Sequence, residues 1–163
     1  MRHSRTKAKP DMTMTESQQD LARILMNGSL AKELGIGDPE LNLALAMANA
    51  QLTAGNAKKA FPDYAMLVLC RPLDADLQCG LANCALLLQE YEVALQSAST
   101  IIALSPTDCR GYYFSAAACL GLGCTDEAKE DISDALRLAE SSPHRNFYDA
   151  CHDLNTYLEA RFT

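Results

Sequence analysis

From Asp38 to Glu140, apolar side chains return every three or four positions, and Gly or Pro breaks the runs at regular intervals. This rhythm predicts helices throughout. Displaced against itself by 34 residues without a gap, the chain brings Ala48, Ala82 and Ala116 into register. The same displacement aligns Ala60, Ala94 and Ala128, and Pro72 with Pro106. Gly55 and Gly123 fall at one point of the first and third units. Small side chains at two fixed positions let paired antiparallel helices cross closely, so repeats are expected at 41–74, 75–108 and 109–142.

The flanks follow other patterns. Residues 1–15 are polar, basic and aperiodic, and are expected to form a disordered tail. In segment 16–37, Leu21, Ile24 and Leu25 are followed by Leu30 and Leu34 at helical spacing, with Gly28-Ser29 between them. Two short helices joined at a break are predicted. The narrow stripe of Leu21, Ile24 and Leu25 needs a partner surface, the repeats or a second copy, and these three are the candidate dimerisation residues. Asp38-Pro39 reads as a helix start with Asp38 as cap, and Pro62 is expected to delay or kink its helix. After Ser142-Pro143, a second cap-plus-Pro start, the stripe Phe147, Cys151, Leu154, Leu158 and Phe162 predicts a capping helix over 143–163.

The repeat length and the alanines at in-repeat positions 8 and 20 match the tetratricopeptide pattern. The predicted fold is all-α, with three such repeats (38–142) as a short right-handed solenoid between N-terminal helices and a C-terminal cap. The pattern's aromatic at in-repeat position 4 survives only as Tyr112; Ala44 and Gln78 stand in its place elsewhere. In this architecture the first helix of each repeat lines a concave face. The expected client-peptide groove is Leu45, Asn49, Leu52, Cys79, Asn83, Leu86, Arg110, Tyr113 and Ala117. Apolar side chains there offer pockets, and the Asn amides can donate to and accept from a peptide backbone. A clamp for a C-terminal carboxylate needs several basic side chains, but Leu45 and Phe114 stand where Lys and Arg would be required.

Composition narrows the function. Of fourteen basic side chains, four (Arg2, Arg5, Lys7, Lys9) lie in the first nine residues, while all twenty-one acidic ones lie beyond them. So acidic a body makes nucleic acid an improbable partner. Seven cysteines without a Cys-x-x-Cys pair fit free buried thiols in a reducing compartment, and no metal or other cofactor is expected. The basic start is not followed by an apolar run long enough for a signal peptide, and no segment is long enough to span a membrane. His3, His144 and His152 have no nucleophile arranged beside them, so the chain is not expected to be an enzyme.

The whole layout resembles the class II chaperones of bacterial type III secretion, the translocator chaperones of the LcrH/SycD type. The resemblance runs from about Gln18 onward. It is carried by the segment ILMNGSLAKELG ahead of the repeats, by LANCALLLQEYEVAL in the second and by YYFSAAACLGLG in the third. It implies a non-catalytic cytoplasmic chaperone, commonly dimeric through its N-terminal helices, that holds hydrophobic pore-forming translocators soluble and separate before export. A chaperone of another export substrate, such as a needle subunit, or a general interaction scaffold is the alternative. Members of that family often carry aromatics where this chain has Leu45, Asn49 and Leu52.

Overall fold

The interrupted apolar runs fold as helices. The computed structural model describes residues 29–144 and 146–162, and among these there are eight: α1 (Ser29–Glu33), α2 (Asp38–Thr53), α3 (Ala57–Cys70), α4 (Ala75–Leu87), α5 (Tyr91–Leu104), α6 (Cys109–Leu122), α7 (Thr125–Ala139) and α8 (Asn146–Phe162). Leu21, Ile24 and Leu25 lie outside the described residues. The 34-residue spacing reappears in the helix starts, at 57, 91 and 125 for α3, α5 and α7, and at 75 and 109 for α4 and α6. From α2 to α8 each helix packs on the next; α1 touches α3, α4 touches α6, and α6 touches α8.

The close crossings form where the alanines align. Ala48, Ala60, Ala82, Ala94, Ala116 and Ala128 are all 0% exposed. Leu67, Leu77, Ile101, Ile132 and Leu158 fill the larger spaces between helices and are fully buried. Burying each such side chain contributes roughly 1.5–3 kcal/mol.

Local chemistry ends and starts the helices. The Asp74 carboxylate accepts from the amides of Asp76 and Leu77 at 3.0 and 3.2 Å, and Asp108 accepts from that of Arg110 at 3.0 Å. Asp38 does not cap in this way. Gly37 occupies the cap position of α2, and the Asp38 carboxylate, one residue inside, pairs with Arg71 at the end of α3. Ser142 likewise does not start α8: its hydroxyl accepts from the His144 amide at 3.0 Å in the connecting turn, and the helix begins at Asn146.

Pro62 sits inside α3 without delaying it, since α3 begins at the same offset as α5 and α7. Pro62 and Lys58 are both exposed, which places the carbonyl deprived of its amide partner on the solvent side. Between paired helices the chain turns through a left-handed residue each time: Gly55 (φ 76°), Gln89 (φ 63°) and Gly123 (φ 82°). Only glycine takes that conformation without a steric penalty. Gln78 and Tyr112, both at in-repeat position 4, donate to the carbonyl of the proline six residues earlier, Gln78 Nε2 to Pro72 at 3.0 Å and Tyr112 Oη to Pro106 at 3.2 Å. Gln78 thus makes the bond that the aromatic makes one helix pair later.

The candidate client groove

The expected groove residues fall into three groups. On α2, Leu45 and Leu52 are half-buried against the cluster built on Leu41, Ala48, Tyr64, Leu67 and Leu81, while Asn49 between them is exposed. Its carboxamide oxygen accepts the hydroxyl of buried Tyr64. The Tyr64 ring lies over Gly80 of α4, where a Cβ would fall 2.1 Å from the ring. Tyr64 therefore ties the α2 end of the face to α4.

Cys79, Asn83, Leu86 and Tyr113 form the second group, around the facing surfaces of α4 and α6. Cys79, Ala82, Ala98, Ile101 and Phe114 make a buried cluster, and Leu86, Tyr113 and Phe147 pack onto it. Three rings meet there edge to face: Tyr113 to Phe114 and Tyr113 to Phe147 at 5.5 Å, and Phe114 to Phe147 at 5.8 Å. Such contacts add about 0.5–1.5 kcal/mol per pair beyond simple burial. A cavity of about 250 Å³ opens beside the rings, lined by Asn83, Tyr113, Phe114, Phe147 and Ala150. Three aromatic rings and Ala150 supply apolar lining and Asn83 an exposed amide, a combination suited to one aliphatic side chain and a neighbouring backbone group.

Arg110 stands apart. Its Nε and Nη2 donate to Asp108 at 2.7–3.1 Å, and its Nη1 donates to Asp76 at 2.7 Å. The Arg110 and Asp108 side chains are only 12% and 8% exposed, so the guanidinium is committed to joining the starts of α4 and α6. Hydrogen bonding to Asp108 raises the Arg110 pKa above its ordinary value even against burial. Asp108 is held below the carboxylate range: burial pushes it up, and the hydrogen bonds and charge of Arg110 outweigh that. Ala117 is half-buried on α6.

Phe147 and Ala150 were not expected in the groove. They belong to α8, whose stripe reads as a cap, and Cys151 and Leu158 of that stripe are indeed 0% exposed against α6 and α7. The first turn of α8 nonetheless reaches the face where α4 and α6 meet. Only the aromatic at the head of the stripe signals it. Burial pushes the Cys79 and Cys151 thiols up to about 12, which makes them packing groups at neutral pH. Among the described residues no group of three His, Cys, Asp or Glu side chains could hold a metal ion, and no helix is long and apolar enough to cross a membrane.

In its fold this chain is similar to solved type III secretion translocator chaperones. PcrH of Pseudomonas aeruginosa, solved with the chaperone binding region of PopD, matches with a TM-score of 0.70 at 27% identity, covering 79% of this chain and 98% of PcrH. The complex of PcrH with the chaperone binding region of PopB gives a TM-score of 0.63 at 28% identity, covering 77% and 97%. The Yersinia enterocolitica translocator chaperone SycD gives 0.66 at 22% identity, covering 80% and 96%, a likeness of fold. No protein-family model and no curated protein matches the sequence.

Proposed function

We propose that this chain is a chaperone of type III secretion that binds hydrophobic translocator proteins in the bacterial cytoplasm before export, keeping them soluble and apart. One observation carries the reading. The cavity of Asn83, Tyr113, Phe114, Phe147 and Ala150 lies on the groove expected from the repeats, in a fold shared with PcrH bound to client segments. Translocators aggregate through apolar segments, and a groove that covers such a segment lowers the concentration of the aggregating form. The reading needs no catalytic group and no cofactor.

Within this reading, residues 38–142 are three tetratricopeptide repeats, and Leu45, Asn49, Leu52, Cys79, Asn83, Leu86, Tyr113 and Ala117 line the groove, with Phe114, Phe147 and Ala150 added to them. Self-association through Leu21, Ile24 and Leu25 belongs to it too. The exposed Leu43 (62%) and Met47 (54%) on α2 support that part, since they leave an apolar surface at this end of the stack.

Ala150→Arg tests the groove. The long side chain fills the cavity from a half-buried helical position and disturbs no core contact. Losing one buried aliphatic anchor corresponds to roughly 1.5–3 kcal/mol. Capture of a co-expressed translocator is therefore expected to weaken at least ten-fold with an unchanged melting temperature. Undiminished capture refutes the groove.

A further inference from the structure

Asn49 and Asn83 occupy the same place in successive helix pairs, yet their surroundings differ. Tyr64, 3% exposed, donates its hydroxyl to the Asn49 carboxamide oxygen. Thirty-four residues after Tyr64 stands Ala98, 0% exposed, and the Asn83 amide makes no side-chain hydrogen bond among the described residues. Among the described residues, one amide is held by a buried side chain and the other is not.

The direction of the held bond is fixed by burial. If Tyr64 accepted from the Asn49 amide nitrogen, its own buried proton would lack a partner. That is costly, whereas the exposed Asn49 amide is solvated in either orientation. The phenol pKa is raised, first by burial and then by Cys84 nearby, so the hydroxyl remains a donor through the working pH range. The ring is buried among Leu41, Ala48, Leu67 and Leu81 and passes over Gly80, where only the lack of a Cβ leaves room for it.

We infer that Tyr64 is a positioning residue that fixes the orientation of the Asn49 carboxamide and keeps its NH2 available as a donor, so that the α2 end of the groove favours a client segment that presents a main-chain carbonyl there. The inference rests on the groove reading above. Asn83, exposed and without a buried side-chain partner among the described residues, can meet either a carbonyl or an N–H. The pair therefore sets the register of the client by one fixed and one adaptable contact. Accepting from Tyr64 also polarises the Asn49 amide and strengthens its N–H groups as donors.

The probe is a fluorescently labelled peptide of the PopD chaperone binding region, titrated against the full chain by anisotropy. Asn49→Asp keeps an acceptor for Tyr64 but offers the client an anionic oxygen, and is expected to weaken binding at least ten-fold; Asn83→Asp should weaken it less. Tyr64→Phe keeps the ring and should cost roughly three- to ten-fold, one hydrogen bond's worth of alignment. In an Asn49→Ala background Tyr64→Phe should cost nothing further, which a merely structural role of Tyr64 would not produce. Wild-type affinity for Asn49→Asp, or a Tyr64→Phe loss that persists without Asn49, overturns the inference and leaves the groove standing. Failure of the unaltered chain to bind the peptide removes the groove reading, and this inference with it.

Discussion

Replacing Gly80 by alanine is a sharp test of how the first two helix pairs are joined. An added Cβ would lie 2.1, 2.5 and 2.6 Å from Cε1, Cζ and Cδ1 of Tyr64, all far inside van der Waals contact. The ring is 3% exposed and packed among Leu41, Ala48, Leu67 and Leu81, so it cannot yield without moving neighbours. Overpacking of this kind costs about 1–3 kcal/mol, and a displaced ring also loses its bond to Asn49, about 1 kcal/mol. Alanine regains somewhat under 1 kcal/mol as the better helix former. The net expectation is a destabilisation of roughly 1–3 kcal/mol, a fall in Tm of about 3–10 °C for a chain of this size. Thermal and urea unfolding followed by circular dichroism measure it. Shrinking the obstacle with Tyr64→Leu should remove most of the Gly80→Ala penalty, a non-additivity only direct contact explains. A Gly80→Ala variant as stable as the parent, or more so, refutes the close approach.

Removing one partner of the Arg110–Asp108 pair should be severe, about 3–5 kcal/mol for Arg110→Ala, because the other charge stays buried alone. The Asp108 carboxyl titrates below its unfolded value of about 3.9, so its contribution is complete above that pH and disappears as pH falls through the folded value. Comparing Tm against pH, Asp108→Asn should lie below the parent at pH 7 and converge toward it as the pH falls below about 4; a constant gap would contradict the pairing. Gln89 holds φ at 63°, and Gln89→Gly should raise stability by about 0.5 kcal/mol, the relief of left-handed strain less the added freedom of the unfolded chain. Of seven thiols only Cys124 is exposed, and burial pushes Cys84 to about 11 and Cys79 and Cys151 to about 12. Iodoacetamide at pH 8 should therefore modify one thiol per folded chain quickly, and two or more fast thiols would argue against this packing.

The helical order was legible because its signal repeats. Six alanines at a 34-residue spacing mark the crossings, and all six are fully buried. What was not legible depends on surroundings that spacing does not encode. Gln78 looked like a lapse from the aromatic pattern, yet an amide reaches the Pro72 carbonyl as well as a phenol does. Gln89 gave no turn signal, because the geometry of the helix pair and not the residue imposes the left-handed conformation. Asp38 resembled a cap until Arg71, 33 residues away, claimed its carboxylate. Of the expected groove positions, Asn83 and Tyr113 do meet at one cavity. The commitment of Arg110 to Asp108 and Asp76 could not be read from spacing, nor could the arrival of Phe147 from a helix that looked purely protective.

That double employment of α8 couples two equilibria usually kept separate. End elements of stacked-helix proteins fray first, with opening free energies well below that of global unfolding. On the groove reading proposed above, fraying of α8 would remove Phe147 and Ala150 from the cavity lining, so each opening event would dismantle the proposed binding site. A ligand of the closed form must then suppress the opening by its own mass action, and amide exchange along 147–162 should slow in proportion to client saturation. Anything that pries α8 loose would, by the same linkage, expel the client without touching it.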